Sequence, residues 1–247
     1  MNDLEGILVV ALEQAVAAPY ASNLLAEAGA RVIKVERAEG DFARHYDHVV
    51  NGESSYFVWL NRGKESVCLD VKDDADRKVL IAILKKADVF IQNLRTGAVA
   101  GLGLDYGCLK EINSRLIMCS ISGYGEEGPY AKMKAYDLLV QAESGLSSVT
   151  GTAENPARVG ISLCDISTGM TAYGAILRAL IKRGKTNTGT HIKISLFNVI
   201  TDWMNVPLLH KAYGGKDTPR AGMNHATIAP YGMYPAGDGK GVVFSIQ

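Results

Sequence analysis

The chain has 247 residues, long enough to bury a sizeable core in one large domain, or in one domain with a smaller companion. Lys and Arg together number 26 and Asp and Glu also 26, so no net field favours nucleic acid or an anionic membrane surface. No run of about 18 apolar residues is present to span a bilayer, and the acidic start at Asp3 and Glu5 argues against a signal peptide. The cysteines Cys68, Cys108, Cys119 and Cys164 are scattered with no C-x-x-C pair. They read as reduced thiols of a cytoplasmic protein, and no metal site is expected.

In chain order, Gly6 to Leu12 is an apolar run of strand length, and Pro19 suits the first turn of a helix that stops at Gly29. Arg31 to Glu36 is a second strand, completing a β-α-β unit. The alternation continues with a strand over Ser66 to Val71, a helix over Asp74 to Lys86 and a strand from Asp88 to Asn93. A broken helical stretch to Asn113 and a strand over Leu116 to Ser122 follow. Helices are expected around Tyr136 to Ser148 and over Ser167 to Arg183, with Gly184 as the stop, before a strand at His191 to Leu196. The pattern predicts an α/β fold, an open parallel sheet of Rossmann type with helices on both faces. Residues 1–200 are read as this domain, and 201–247 as a linker helix and the beginning of a smaller second domain. The last segment, Gly241 to Gln247, reads as a buried-type strand with no partner, so the chain is expected to be a fragment of a longer protein.

Asp165 lies where a small-residue loop turns into the helix whose apolar positions include Met170, Tyr173, Ile176, Leu177 and Leu180. Taken alone, it is a helix N-cap accepting a bond from the N–H of Ser167 or Thr168. Cys164 beside it reads as a buried thiol. The first β-α connection, ALEQAVAAPY, lacks the G-x-G-x-x-G of a dinucleotide site, so Glu36 is a weak match to a ribose-binding acid.

Several segments occur in a telling order: LEGILVVAL (Leu4 to Leu12), AEAGARVIKVER (Ala26 to Arg37), KAYDLLVQAESGL (Lys134 to Leu146), GISLCDISTGMTAYGAILRAL (Gly160 to Leu180), KRGKTNTGTHIKISLF (Lys182 to Phe197) and RAGMNHATIAPYGMYP (Arg220 to Pro235). The sequence resembles the class III coenzyme A transferases, the family of formyl-CoA and carnitine-CoA transferases, whose fold the α-methylacyl-CoA racemases share. The resemblance implies a coenzyme A thioester as substrate, with no permanently bound cofactor. Val16 and Ala17 would border the thioester, and Arg37, Leu69, Lys72, Asn93, Leu94, Arg95, Lys134, Tyr136 and Asp137 match positions that contact the coenzyme. Val16 replaces the glutamine of formyl-CoA transferases, and Gly101 stands where some relatives have arginine.

In the implied mechanism Asp165 attacks a donor acyl-CoA, and CoA passes to a small carboxylic acid acceptor through aspartyl anhydride and aspartyl-CoA thioester intermediates. Gly169 or the glycines near Gly222 are candidates to bring N–H groups to the oxyanion. One alternative is an α-methylacyl-CoA racemase; its G-H-D motif is Ala135-Tyr136-Asp137 here, and tyrosine is a poor base at neutral pH. Another is a non-catalytic CoA- or nucleotide-binding module. The family also implies longer chains and interlocked homodimers. The Arg220 segment resembles the branch acting on small dicarboxylates, with Arg44, His45, Arg220, Asn224 and His225 available to a second carboxylate. Asn224 and His225 could equally shape a turn before Pro230.

Overall fold

A strand buried on both faces has to be apolar at successive positions, and LVVAL (β1, Leu8–Leu12) meets that demand. In the computed structural model, which describes residues 2–246, β1 leads into α1 (Ala17–Glu27), β2 (Arg31–Glu36), a 3-10 turn (Phe42–His45), α2 (Ser55–Asn61), β3 (Glu65–Cys68), α3 (Asp74–Leu84) and β4 (Val89–Gln92). Next come α4 (Ala98–Gly101), α5 (Tyr106–Ile112), β5 (Ile117–Ser122), α6 (Asp137–Glu143), α7 (Leu146–Val149), α8 (Leu163–Thr186) and β6 (Thr190–Ser195). The chain continues with α9 (Leu196–Trp203), α10 (Asn205–Gly214), β7 (Tyr231–Pro235) and β8 (Gly241–Ser245). Local chemistry sets several of these boundaries. Gly29 ends the first helical segment at φ +98°, a left-handed conformation that costs glycine nothing. Asp73 caps α3 by accepting from the N–H groups of Ala75 and Asp76.

Six strands form one parallel sheet in the order β3-β2-β1-β4-β5-β6. This is the doubly wound arrangement, and its order reverses between β1 and β4. Val10, Phe90 and Met118 cluster with Leu80 and Leu84 of α3 and Leu109 of α5. The alternate positions Val9, Ala11, Ile91 and Cys119 are also buried and face the opposite side of the pleat. Burial pushes the Cys119 thiol up to about 12, so it packs as a neutral side chain.

The chain divides into two units, one formed by Met1–Ala135 with Cys164–Val199 and the other by Tyr136–Leu163 with Ile200–Gln247. The sequence reading sets a single boundary at 200, whereas residues 136–163 group with the later segment. Within the second unit β8 pairs antiparallel with β7, from Tyr231 opposite Ser245 to Pro235 opposite Gly241. That corrects the expectation of a final strand without a partner; of that segment, Gln247 lies outside the described residues. Helix α8 runs through Gly184 to Thr186, because Gly184 keeps a negative φ and the left-handed position after the helix falls to Asn187, at φ +57°. No helix among the described residues is long and apolar enough to cross a membrane.

Candidate active site

Open α/β sheets take their ligands at the carboxyl ends of the strands where the order reverses. In this chain that point lies between the residues following β1 and those following β4. The two connections are tied together: the Gln14 N–H donates to Asn93 Oδ1 at 2.9 Å, and Asn93 Nδ2 donates back to the Gln14 carbonyl at 2.8 Å. Val16 and Ala17, both buried, follow directly and open α1. Leu94 is held by the bond from its N–H to Gln92 Oε1, and Arg95 beside it is exposed. Arg37 follows β2 and is exposed beside Glu39. Leu69 is buried, its N–H donating to the Glu36 carbonyl, and Lys72 is exposed in the turn after β3. The ends of four strands thus carry the positions Val16, Ala17, Arg37, Leu69, Lys72, Asn93, Leu94 and Arg95. Exposed Lys134 belongs to the same unit, whereas Tyr136 and Asp137 open α6 in the other; Asp137 Oδ2 accepts from Gln141 Nε2 at 2.6 Å.

Asp165 is the third residue of α8, inside its first turn rather than at the cap. Within this turn Ser167 Oγ and Thr168 Oγ1 donate back to the Cys164 carbonyl, at 3.1 and 2.6 Å. Two contacts orient the helix. At its far end buried Arg183 pairs with Asp88 at 2.9 Å and reaches the carbonyls of Asp88 and Arg115, all just before β4 and β5. Near its start Gly169 packs on α1: a Cβ at this glycine would lie 2.7 Å from the Ala17 carbonyl oxygen and 2.9 Å from the Tyr20 ring. Helix α8 therefore runs antiparallel to the strands and delivers Asp165, half-buried and one turn before Gly169, to the carboxyl edge of the sheet.

The N–H groups of Gly169 and Gly222, two of the glycines considered for the oxyanion, are both spent within the fold. Gly169 lies in the interior of α8, where its N–H belongs to the helix's own ladder, and the Gly222 N–H donates to the Gly151 carbonyl at 2.9 Å. Two of the cations considered for a second carboxylate are also engaged. Arg44 makes a two-point contact with Glu36 and lies 3.7 Å from the Phe57 ring centre, and Arg220 donates to the carbonyls of Ser148, Thr152 and Ala153. His45 is exposed. His225 Nδ1 accepts from the N–H groups of Thr227 and Ile228, and the Asn224 N–H donates to the Ala221 carbonyl, so both shape the turn before Pro230.

A buried set of charges beneath the first connection was not legible in the sequence. Lys34 Nζ lies 2.9 Å from Asp41 Oδ2 and 3.5 Å from Glu13 Oε1, and Lys64 Nζ is 2.7 Å from the same Glu13 oxygen. Burial opposes ionisation of Glu13, yet Lys64 and Lys34, with bonds from Lys64 and Ser22, hold its carboxyl below the usual range. Glu36, the weak ribose-acid match, spends its oxygens on Arg44, Ser66 and the Asp41 N–H. Burial works against its ionisation too, but Arg44 and the Asp41 N–H keep its carboxyl lowered. The available signal was a lysine inside an otherwise apolar strand, RVIKVE, because such a residue is buried only with partners.

The model of CoA-transferase family III matches residues 4–247. The chain belongs to that family. It is 39% identical over 237 residues to the acetyl-CoA:oxalate CoA-transferase of Acetobacter aceti, covering 95% of this chain and 61% of that protein. Against the succinyl-CoA:glutarate CoA-transferase of Homo sapiens the identity is 36% over 246 residues, 98% of this chain and 56% of the relative. A crystal structure of a CAIB/BAIF family protein from Brucella suis superposes with a TM-score of 0.89 at 36% identity, covering 97% of this chain and 65% of that one. The chain thus spans less than two thirds of the length of these family III relatives.

Proposed function

We propose that the protein is an acyl-CoA:carboxylate CoA-transferase in which Asp165 carries the acyl group and then the coenzyme. The observation behind this reading is the delivery of Asp165 to the carboxyl edge of the sheet, one turn from the α8 contact with Ala17. The carboxylate attacks the donor thioester: a C–O bond forms, the C–S bond breaks, and CoA leaves as thiolate with a mixed anhydride behind it. The thiolate attacks the aspartyl carbonyl, forming a thioester to Asp165 and expelling the donor acid as carboxylate. The acceptor carboxylate displaces the thiolate to give a second anhydride. The thiolate then takes the acceptor acyl group and regenerates Asp165. No step needs a proton, and exclusion of water keeps the activated intermediates from hydrolysis.

Arg37, Lys72, Arg95 and Lys134, exposed on the sheet unit, suit the phosphates of CoA. The acceptor is a C4 or C5 dicarboxylic acid and the donor succinyl-CoA, a choice supported by likeness to transferases named for glutarate and mesaconate. The enzyme works in the cytoplasm, in keeping with its free cysteines. It acts as an interlocked homodimer, supported by exposed Val206, Leu208, Leu209 and Tyr213 on α10.

Mass spectrometry after incubation with acyl-CoA should find an adduct, trapped by hydroxylamine or borohydride, on the peptide containing Asp165. Racemisation or simple binding leaves none. In the full-length enzyme Asp165→Ala should abolish transfer while CoA binding persists; turnover above about 5% of the parent ends the assignment. Transfer to formate, oxalate or carnitine with none to succinate, glutarate or mesaconate overturns the choice of acceptor.

A further inference from the structure

Ala15 sits at φ +64°, a left-handed conformation that an L side chain rarely adopts, in the turn that faces the ligand edge of the sheet. Such a residue persists only where its surroundings over-determine it, and here they do so from both sides. Asn93 brackets Gln14 through both its N–H and its carbonyl, at 2.9 and 2.8 Å. Asp41 Oδ1 accepts the Ala15 N–H at 3.1 Å. Asp41 is itself fixed by the Ala43 N–H at 2.9 Å, by Lys34 at 2.9 Å and through its own N–H by Glu36 at 3.0 Å. Below the turn, Lys64 joins Glu13 to the Pro19 carbonyl, at 2.7 and 2.9 Å, and so links the end of β1 to the first turn of α1. A buried ion network is costly and contributes little to stability over an apolar replacement. Its value here lies in where it fixes the backbone.

We propose that Asp41 and Asn93 are positioning residues for acyl transfer: they clamp the Gln14–Val16 turn so that the backbone entering α1 meets the acyl group carried by Asp165. This rests on the reading of Asp165 given above. Asp41 is buried and acts only through the turn, whereas Asn93 also lies at a position that the family resemblance matches to coenzyme contact.

The test uses Asn93→Ala and Asp41→Ala in the full-length enzyme, each with and without Ala15→Gly. Loss of the clamp should lower kcat about tenfold or more while the KM for acyl-CoA moves less than about threefold. Hydrogen exchange across residues 13–18 should speed up by about tenfold, with the rest of the sheet unchanged. Ala15→Gly should restore about threefold of the lost kcat, because glycine holds this φ without help. If Asp41→Ala does not fold, Asn93→Ala decides alone. A raised KM at constant kcat would make Asn93 a coenzyme contact only and overturn the proposal. A kcat loss that tracks the melting temperature and ignores Ala15→Gly overturns it as well. Turnover surviving in Asp165→Ala would sink the reaction reading and this assignment together. An unaffected kcat in Asn93→Ala, with Asp165→Ala inactive, would sink the positioning role alone.

Discussion

Gly169→Ala adds one methyl group where α8 crosses α1, and its effect follows from the space around it. The new Cβ would meet the Ala17 carbonyl oxygen at 2.7 Å and Tyr20 side-chain atoms at 2.9 and 3.0 Å, whereas ordinary contact begins at 3.4 Å. The nearest atom is backbone, so relief requires the helices to part by about 0.7 Å. Alanine in a helix interior gains about 1 kcal/mol over glycine. Overpacking costs about 1–3 kcal/mol, leaving a net loss of up to about 2 kcal/mol. For a chain of this size that lowers the melting temperature by up to about 8 °C. The larger effect falls on rate, because the shift displaces Asp165 one turn away and should reduce kcat by about tenfold to a hundredfold. Gly174 on the same helix has nothing within 4 Å of the point where a methyl group would sit, so Gly174→Ala should raise the melting temperature by about 2–4 °C and leave kcat unchanged. Calorimetry and steady-state kinetics on both variants decide the matter. If Gly169→Ala stabilised the protein and preserved kcat as Gly174→Ala does, the contact would not govern the position of Asp165.

Two further outcomes follow from buried charge. Glu36 has a lowered carboxyl, so the unfolded chain binds more protons between the two titrations and stability rises with pH there. Its contribution is complete above about pH 4.5 and fades as pH falls through the native value, so Glu36→Gln should flatten the acid side of a plot of melting temperature against pH; an unchanged slope counts against the pairing with Arg44. Arg183→Met removes the pair with Asp88 and two carbonyl contacts at the far end of α8, and should cost about 3 kcal/mol in urea unfolding. An unmoved urea midpoint would show that this end of the helix is not anchored there.

The sheet was legible because its signals are local. β2 spans Arg31–Glu36 as read, since an apolar run followed by a charged loop leaves little choice of boundary. The ligand edge could be located from the β-α-β rhythm alone. The position of Asp165 was half legible: the helix was clear, but it begins at Leu163, two residues before the expected cap. The β7–β8 hairpin was missed although its loop, AGDGK, carries strong turn chemistry between two strands. The charge network was the least visible part. Asp41 and Lys64 are ordinary surface residue types in the sequence, and their burial follows from partners distant along the chain, Lys34 and Glu13; only Lys34, inside a strand, carried a local signal.

The clamp also has a place in time. Glu13, Lys34, Asp41, Lys64 and Asn93 all fall within the first 93 residues, and Asp165 is made 72 residues after the last of them. At 5–20 residues per second that interval is about 4–14 s, far longer than strand and helix closure require. The five residues of the clamp are thus all synthesised before Asp165. The side-chain contacts that hold the Gln14–Val16 turn come from residues upstream of α8, so a substitution at Asp165 leaves each of them in place.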